Sequence, residues 1–163
     1  MKKIYIDAGT YDGKILNNFI EEFEMQKDAK NWSIYCFDPL ATYRERINGI
    51  INNKFPKNAW WNEGSVNSPT LNHFELSSNA VWTEDGEVTF YQYASDGAAP
   101  HDDGSGIMYW KAEIESKEWG GEIIDKSKVP CISLSNFIKN NFSKDDFIVL
   151  NLFRARDEVK DDH

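Results

Sequence analysis

Positive charge is scarce in this chain. Its 163 residues carry 18 Lys and Arg against 27 Asp and Glu, a formal net charge of −9. A phosphate-neutralising face needs clustered cations, so the composition argues against a nucleic-acid partner. Long apolar runs are absent too: none approaches the roughly 18 residues that span a bilayer. The Met1-Lys2-Lys3 start runs straight into a strand pattern, unlike a secretory leader, so a cytoplasmic protein with no membrane partner is expected. Cysteine is nearly missing. Cys36 and Cys131 each sit in an apolar run and read as buried, reduced thiols. Histidine is rare, and His73, His101 and His163 show no ligand spacing, so no metal site is expected. Internal repeats and interdomain linkers are lacking, and the length suits one domain with a real core.

What is present is a strand and helix alternation. The β-branched and aromatic run from Lys3 to Ala8 predicts a buried strand, and Gly9-Thr10-Tyr11-Asp12-Gly13 turns it into a helix. That helix is expected from about Lys14 to Lys27, with Leu16, Phe19, Ile20 and Phe23 on one stripe. Trp32 to Phe37 is a continuous apolar run ending in Asp38-Pro39, which suits a parallel strand covered on both faces. Leu40, Tyr43, Ile47 and Ile50 predict a second helix, and Leu71 to Leu76 a third strand. Trp82 to Tyr91 reads as a hairpin turning at Asp85-Gly86. Ala94 to Gly106, including His101-Asp102-Asp103, reads as a mobile loop near a ligand, and Met108 to Glu118 as a short helix. Pro130 makes Val129 to Leu134 an expected edge strand. A helix through Phe137 and Ile138 follows, and Asp146 to Leu152 is then a buried parallel strand. Residues 153–163 form a charged stretch, expected to be solvated or frayed beyond a single domain of residues 1–152. The fold class is therefore α/β with a mostly parallel sheet and an inserted hairpin.

Two features converge on one ligand: the glycine loop after the first strand and Asp38 at the tip of the second. In doubly wound sheets ligands bind outside the carboxyl ends of the strands. An acid at the second tip accepts hydrogen bonds from a ribose diol. A dinucleotide would want a third glycine and room for a pyrophosphate at the helix start, whereas Asp12 would repel phosphate. That disfavours a nicotinamide-dependent oxidoreductase and points to a phosphate-free adenosine cofactor. The bland alternatives are plain turn chemistry for the glycines and a helix cap for Asp38.

Tyr5 to Gly13 and Tyr35 to Pro39 resemble the first two motifs of FkbM-type S-adenosylmethionine-dependent methyltransferases. Asn79 to Trp82, Asp85 to Tyr91 and Val129 to Ile138 are similar to later segments of that family, in the same order. The resemblance implies a Rossmann-like class I methyltransferase fold and the cofactor S-adenosylmethionine. It implies transfer of a methyl group to a hydroxyl oxygen of a small molecule or sugar. Carried over, Asp7, Gly9, Thr10 and Gly13 surround the methionyl part, with Tyr11 in the same loop. Asp38 with Pro39 holds the ribose, and Ala80 with Val81 lies near the adenine. No base is assigned; Asp12, His101 and Asp102 qualify by residue type only. Residues Ala94 to Trp119 are the expected acceptor side.

The sequence also departs from the family. Thr10-Tyr11 stands where Ala-Asn is usual, and Asn151 to Arg156 replaces an acidic run after the fourth strand. The family's remaining strands are not found, which implies an incomplete sheet: a natural short form, or a gene truncated or frame-shifted near residue 152. The competing reading is a non-catalytic cofactor-binding or assembly module. Trp60, Trp61, Trp110 and Trp119 would then drive a homo-oligomer that completes the sheet.

Overall fold

A computed structural model describes residues 1–39, 42–56, 70–95, 101–106 and 121–152. Leu40, the four tryptophans just named, the helix expected over Met108 to Glu118 and residues 153–163 lie outside the described residues. Among the described residues no helix is long and apolar enough to cross a membrane.

The centre is a four-stranded, all-parallel sheet ordered β3-β2-β1-β8. β1 spans Lys3–Ala8, β2 Trp32–Phe37, β3 His73–Ser77 and β8 Phe147–Leu152. Strand alternation sorts the side chains onto two faces. On one, Tyr5, Ile34 and Cys36 pack with α1 (Lys14–Glu22), α2 (Arg44–Lys54) and a 3-10 helix over Met25–Asn31. On the other, Ile4, Ile6 and Phe37 pack with α3 (Leu134–Asn141) through Phe137 and Ile138. The result is a three-layer α/β architecture, as the continuous apolar strands demand. α3 begins on Ser133, whose hydroxyl accepts the Asn136 N–H at 3.2 Å.

A second, mixed sheet is ordered β4-β7-β5-β6, from β4 (Ala80–Trp82), β5 (Gly86–Ser95), β6 (His101–Gly106) and β7 (Gly121–Ser133). Val81 and Ile132 from this sheet join the core on the α3 face.

Five expectations are corrected here. First, Trp82 and Gly86 do not form a hairpin, because β7 lies between β4 and β5, parallel to one and antiparallel to the other. Asp85 holds that crossing by accepting the Ser133 N–H at 2.8 Å; β5 and β6 are the antiparallel neighbours instead. Second, β7 is internal rather than an edge. β4 joins it only from Cys131 onward, so Pro130 sits where β5 alone is paired and its missing N–H is tolerated. Third, residues 94–95 and 101–106 of the expected loop are strand.

Fourth, α1 ends at Glu22 rather than near Lys27. Glu24 turns left-handed at φ 48°, which tips the chain into the 3-10 helix and buries Met25 and Ala29. Fifth, β8 is not fully buried: Phe147, Leu150 and Leu152 are 43%, 40% and 44% exposed. It has a neighbour on one side only among the described residues.

Candidate functional site

The chain leaves β1 outward through β2 to β3, then returns to place β8 on β1's other side. The direction of winding therefore reverses at β1, and outside the carboxyl ends at such a reversal is where doubly wound sheets bind their ligands. The tips are tied together. Gly9 N–H donates to the Phe37 carbonyl at 2.8 Å, and Asp38 N–H donates to the Ser77 carbonyl at 3.0 Å. The loops after β1, β2 and β3 thus form one crest.

The glycine turn is a backbone necessity. Gly9 (φ 87°) and Gly13 (φ 82°) are both left-handed, where a Cβ is costly. Gly13 also sits against α2: a Cβ there would lie 2.6 Å from Ile50 Cδ1. Tyr11 is left-handed as well, at φ 52°, an uncommon state for a bulky residue. Its N–H donates to Asp38 Oδ2 at 2.8 Å, and its ring meets Tyr43 edge-on at 5.1 Å. Asp38 is only 5% exposed, so the loop rests on the acid instead of leaving it open. Asp12, just before the Gly13 N-cap of α1, accepts the Lys14 N–H at 3.0 Å. Its carboxylate occupies the helix start that a phosphate would need.

Asp7 is the most unusual member. It is 1% exposed, and Oδ2 is buried with no hydrogen-bond partner. Oδ1 accepts from Asn151 Nδ2 at 3.0 Å. The Tyr5 hydroxyl, two residues back on the same face, is likewise buried without a partner; it stands near enough to Asp7 to bias its titration, yet outside hydrogen-bonding geometry. Burial pushes the Asp7 carboxyl up to about 6, with Asp38 adding to the rise and Asn151 opposing it. Burial likewise raises the Cys36 thiol, which lies level with Asp7 on β2, and the Tyr5 phenol. Thr10 is buried beneath the loop and donates to the Asp7 carbonyl at 3.3 Å.

Of the residues singled out from sequence, Asp7, Gly9, Thr10, Tyr11, Gly13 and Asp38 come together, with Pro39 half-buried at the end of β2. Ala80 is buried where β4 pairs with Cys131, and Val81 packs into the core on the α3 face. The side chains of His101 and Asp102 lie outside what is described. Asn151 is the participant that sequence reasoning passed over. Its signal was a lone amide in the apolar run Phe147 to Leu152. Arg44 at the start of α2 donates to Ser78, just past β3, and so belongs to the same end of the sheet.

Among the described residues no cluster of three or more His, Cys, Asp or Glu has the makings of a metal site. A cavity of about 420 Å³, lined by Asn48, Asn52, Phe55, Leu71 and His73, opens at the opposite, amino-terminal end of the strands. Comparison with protein-family models, curated proteins and solved structures finds no match for this chain.

Proposed function

We propose that this protein binds S-adenosylmethionine across the carboxyl ends of β1 and β2 and transfers its methyl group to a hydroxyl oxygen. The observation that carries the reading is the pair of buried carboxylates, Asp7 and Asp38, under a glycine turn at the reversal of the sheet. Two acids in low dielectric favour a cationic ligand and repel a phosphate, and Asp12 at the head of α1 adds to the same preference. S-adenosylmethionine, when bound, supplies a methyl group activated on a cationic sulfonium. Asp7 supports the reading by its charge: its buried carboxylate, with Oδ2 unpartnered, favours a positive group on a ligand held above the turn. Asp38 stands at the second tip, where an acid accepts from a ribose diol, and gives up the Tyr11 N–H to do so. The left-handed Tyr11 backbone favours that release, because opening the turn relieves a strained dihedral. Positioning then supplies the main rate advantage, by holding the acceptor oxygen in line with the departing methyl.

The test is calorimetry with S-adenosylmethionine and S-adenosylhomocysteine on the wild type, Asp38→Ala and Asp38→Asn. Micromolar binding that weakens at least tenfold in both variants supports the reading. The Asn variant keeps an acceptor for the Tyr11 N–H, so its loss is charge and diol recognition rather than loop collapse. Heat-silent titrations of the wild type refute it.

A further inference from the structure

Among the described residues, the groups that face the buried Asp7 carboxyl are all neutral or acidic. β1 brings the Tyr5 phenol, β2 the Cys36 thiol and the Asp38 carboxyl, and β8 the Asn151 amide. Thr10 adds a hydroxyl, bonded to the Asp7 carbonyl. On the same face of the sheet α1 and α2 present Leu16, Ile20, Ile47 and Ile51. Arg44, at the start of α2, is turned to Ser78. No Lys, Arg or His among the described residues forms an ion pair with Asp7. Two polar atoms of this cluster, Asp7 Oδ2 and the Tyr5 hydroxyl, are buried without a hydrogen-bond partner. A carboxylate so placed is costly to ionise, and a positive charge brought near it in low dielectric lowers that cost.

We propose that Asp7 gives up its proton to solvent when a cationic ligand occupies the crest, so that the site tells S-adenosylmethionine from its neutral product. The inference rests on the proposed cofactor. Methyl transfer converts a sulfonium into a thioether, so S-adenosylhomocysteine carries one positive charge fewer. An ionised Asp7 favours the first over the second and thereby speeds the exchange of product for fresh cofactor. The free carboxyl, pushed up by burial to about 6, supplies the pH window. Below that value the free protein holds the proton and must lose it to favour the cation. Above it the site is already charged. Affinity for the sulfonium therefore rises with pH up to about 6 and then levels off, while affinity for the thioether changes little. Asn151 is the positioning residue. Its amide N–H donates to Oδ1 at 3.0 Å and opposes the effect of burial, so it sets where on the pH scale the site becomes charged.

The experiment is calorimetry on the full chain from pH 5 to 7, repeated near pH 5.5 in buffers of different ionisation enthalpy to count protons. The amine of either ligand, with an ordinary value of about 7.7–8.0, stays protonated across that range. For a bound carboxyl one unit below the free one, S-adenosylmethionine should release about half a proton and bind about fivefold tighter at pH 7 than at pH 5. S-adenosylhomocysteine should do neither. Asp7→Asn should abolish the release and shrink the preference for S-adenosylmethionine over S-adenosylhomocysteine. Asn151→Ala should carry the rise in affinity to higher pH, which a purely structural role would not do. S-adenosylmethionine that binds without releasing a proton overturns the proposal and leaves the cofactor standing, as does release that persists in Asp7→Asn. Titrations silent for both ligands remove the cofactor reading, and this inference with it. Should Asp7→Asn fail to fold, the Asn151 side-chain amide of the wild type reports the same carboxyl by NMR. Its resonance should titrate near pH 6 in the free protein and lower with S-adenosylmethionine bound; a midpoint that the ligand does not move overturns the proposal.

Discussion

Replacing Asp7 by Asn should make this protein more stable at neutral pH, and the pH dependence of the gain is the sharper test. Asp7 titrates near 6 in the fold because burial penalises its charge, against an ordinary value of 3.8. The folded state therefore holds the proton more tightly than the unfolded chain. The stability this group contributes is fully present below about pH 4 and is lost as pH rises through 6. A rise of about two units is worth about 3 kcal/mol at 1.36 kcal/mol per unit. Asn has no charge to bury. Its oxygen can still accept from Asn151. The groups that set the shift beside burial, namely Asn151, Tyr5 and Asp38, are left in place. Urea unfolding of both proteins from pH 4.5 to 8 should show a difference that grows with pH to about 3 kcal/mol. At pH 7.5 that corresponds to roughly 6–12 °C in Tm for a chain of this size. A difference flat in pH, or a variant less stable than wild type at pH 7.5, would refute the reasoning. Under the proposed function the same substitution weakens the cofactor, so stability and binding should move in opposite directions.

Other perturbations follow from the same geometry. Gly13→Ala should cost about 1–3 kcal/mol, from its left-handed backbone and from the 2.6 Å approach to Ile50 Cδ1. Adding Ile50→Val, which removes that atom, should recover part of the loss in a double-mutant cycle; strict additivity would show that the contact is not strained. Asn151→Ala should destabilise by about 1.5–3 kcal/mol at pH 7.5 and by about half that at pH 4.5, because a charged acceptor loses more than a neutral one. Equal losses at both pH values would mean that Asn151 acts by packing instead. Ser133→Ala should cost about 1 kcal/mol by uncapping α3, read from the urea midpoint.

The elements written in short-range pattern were legible. β1, β2, α2 and α3 follow from apolar runs and helical stripes, and their partners lie on the same faces the stripes imply. What failed was non-local. Nothing in Trp82 to Tyr91 announces that a strand some 40 residues later (Val129 to Ser133) slots between its two arms, so the local Asp-Gly signal won by default. Pro130 marked a place with one neighbour, not a whole edge strand. The left-handed glycines and the Asp38 tip were readable as types, but their use was not. Asp38 holds the Tyr11 N–H, Asp12 accepts the first N–H of the helix that follows it, and Asp7 meets an amide from the other end of the chain. A sequence names donors and acceptors; only the fold pairs them.

The pairing of β1 with β8 has a consequence for how the molecule is made. The two strands touch across 144 positions, from the Lys2 N–H on Asp146 to the Asn151 amide on Asp7. A ribosome therefore releases the middle strand of the sheet long before its second neighbour emerges. Throughout translation Asp7 waits without its amide and one flank of β1 stays bare. Closure is a late event with a long loop to gather, which places this chain among the slower folders and makes the interval before residue 152 appears its most vulnerable to misassembly.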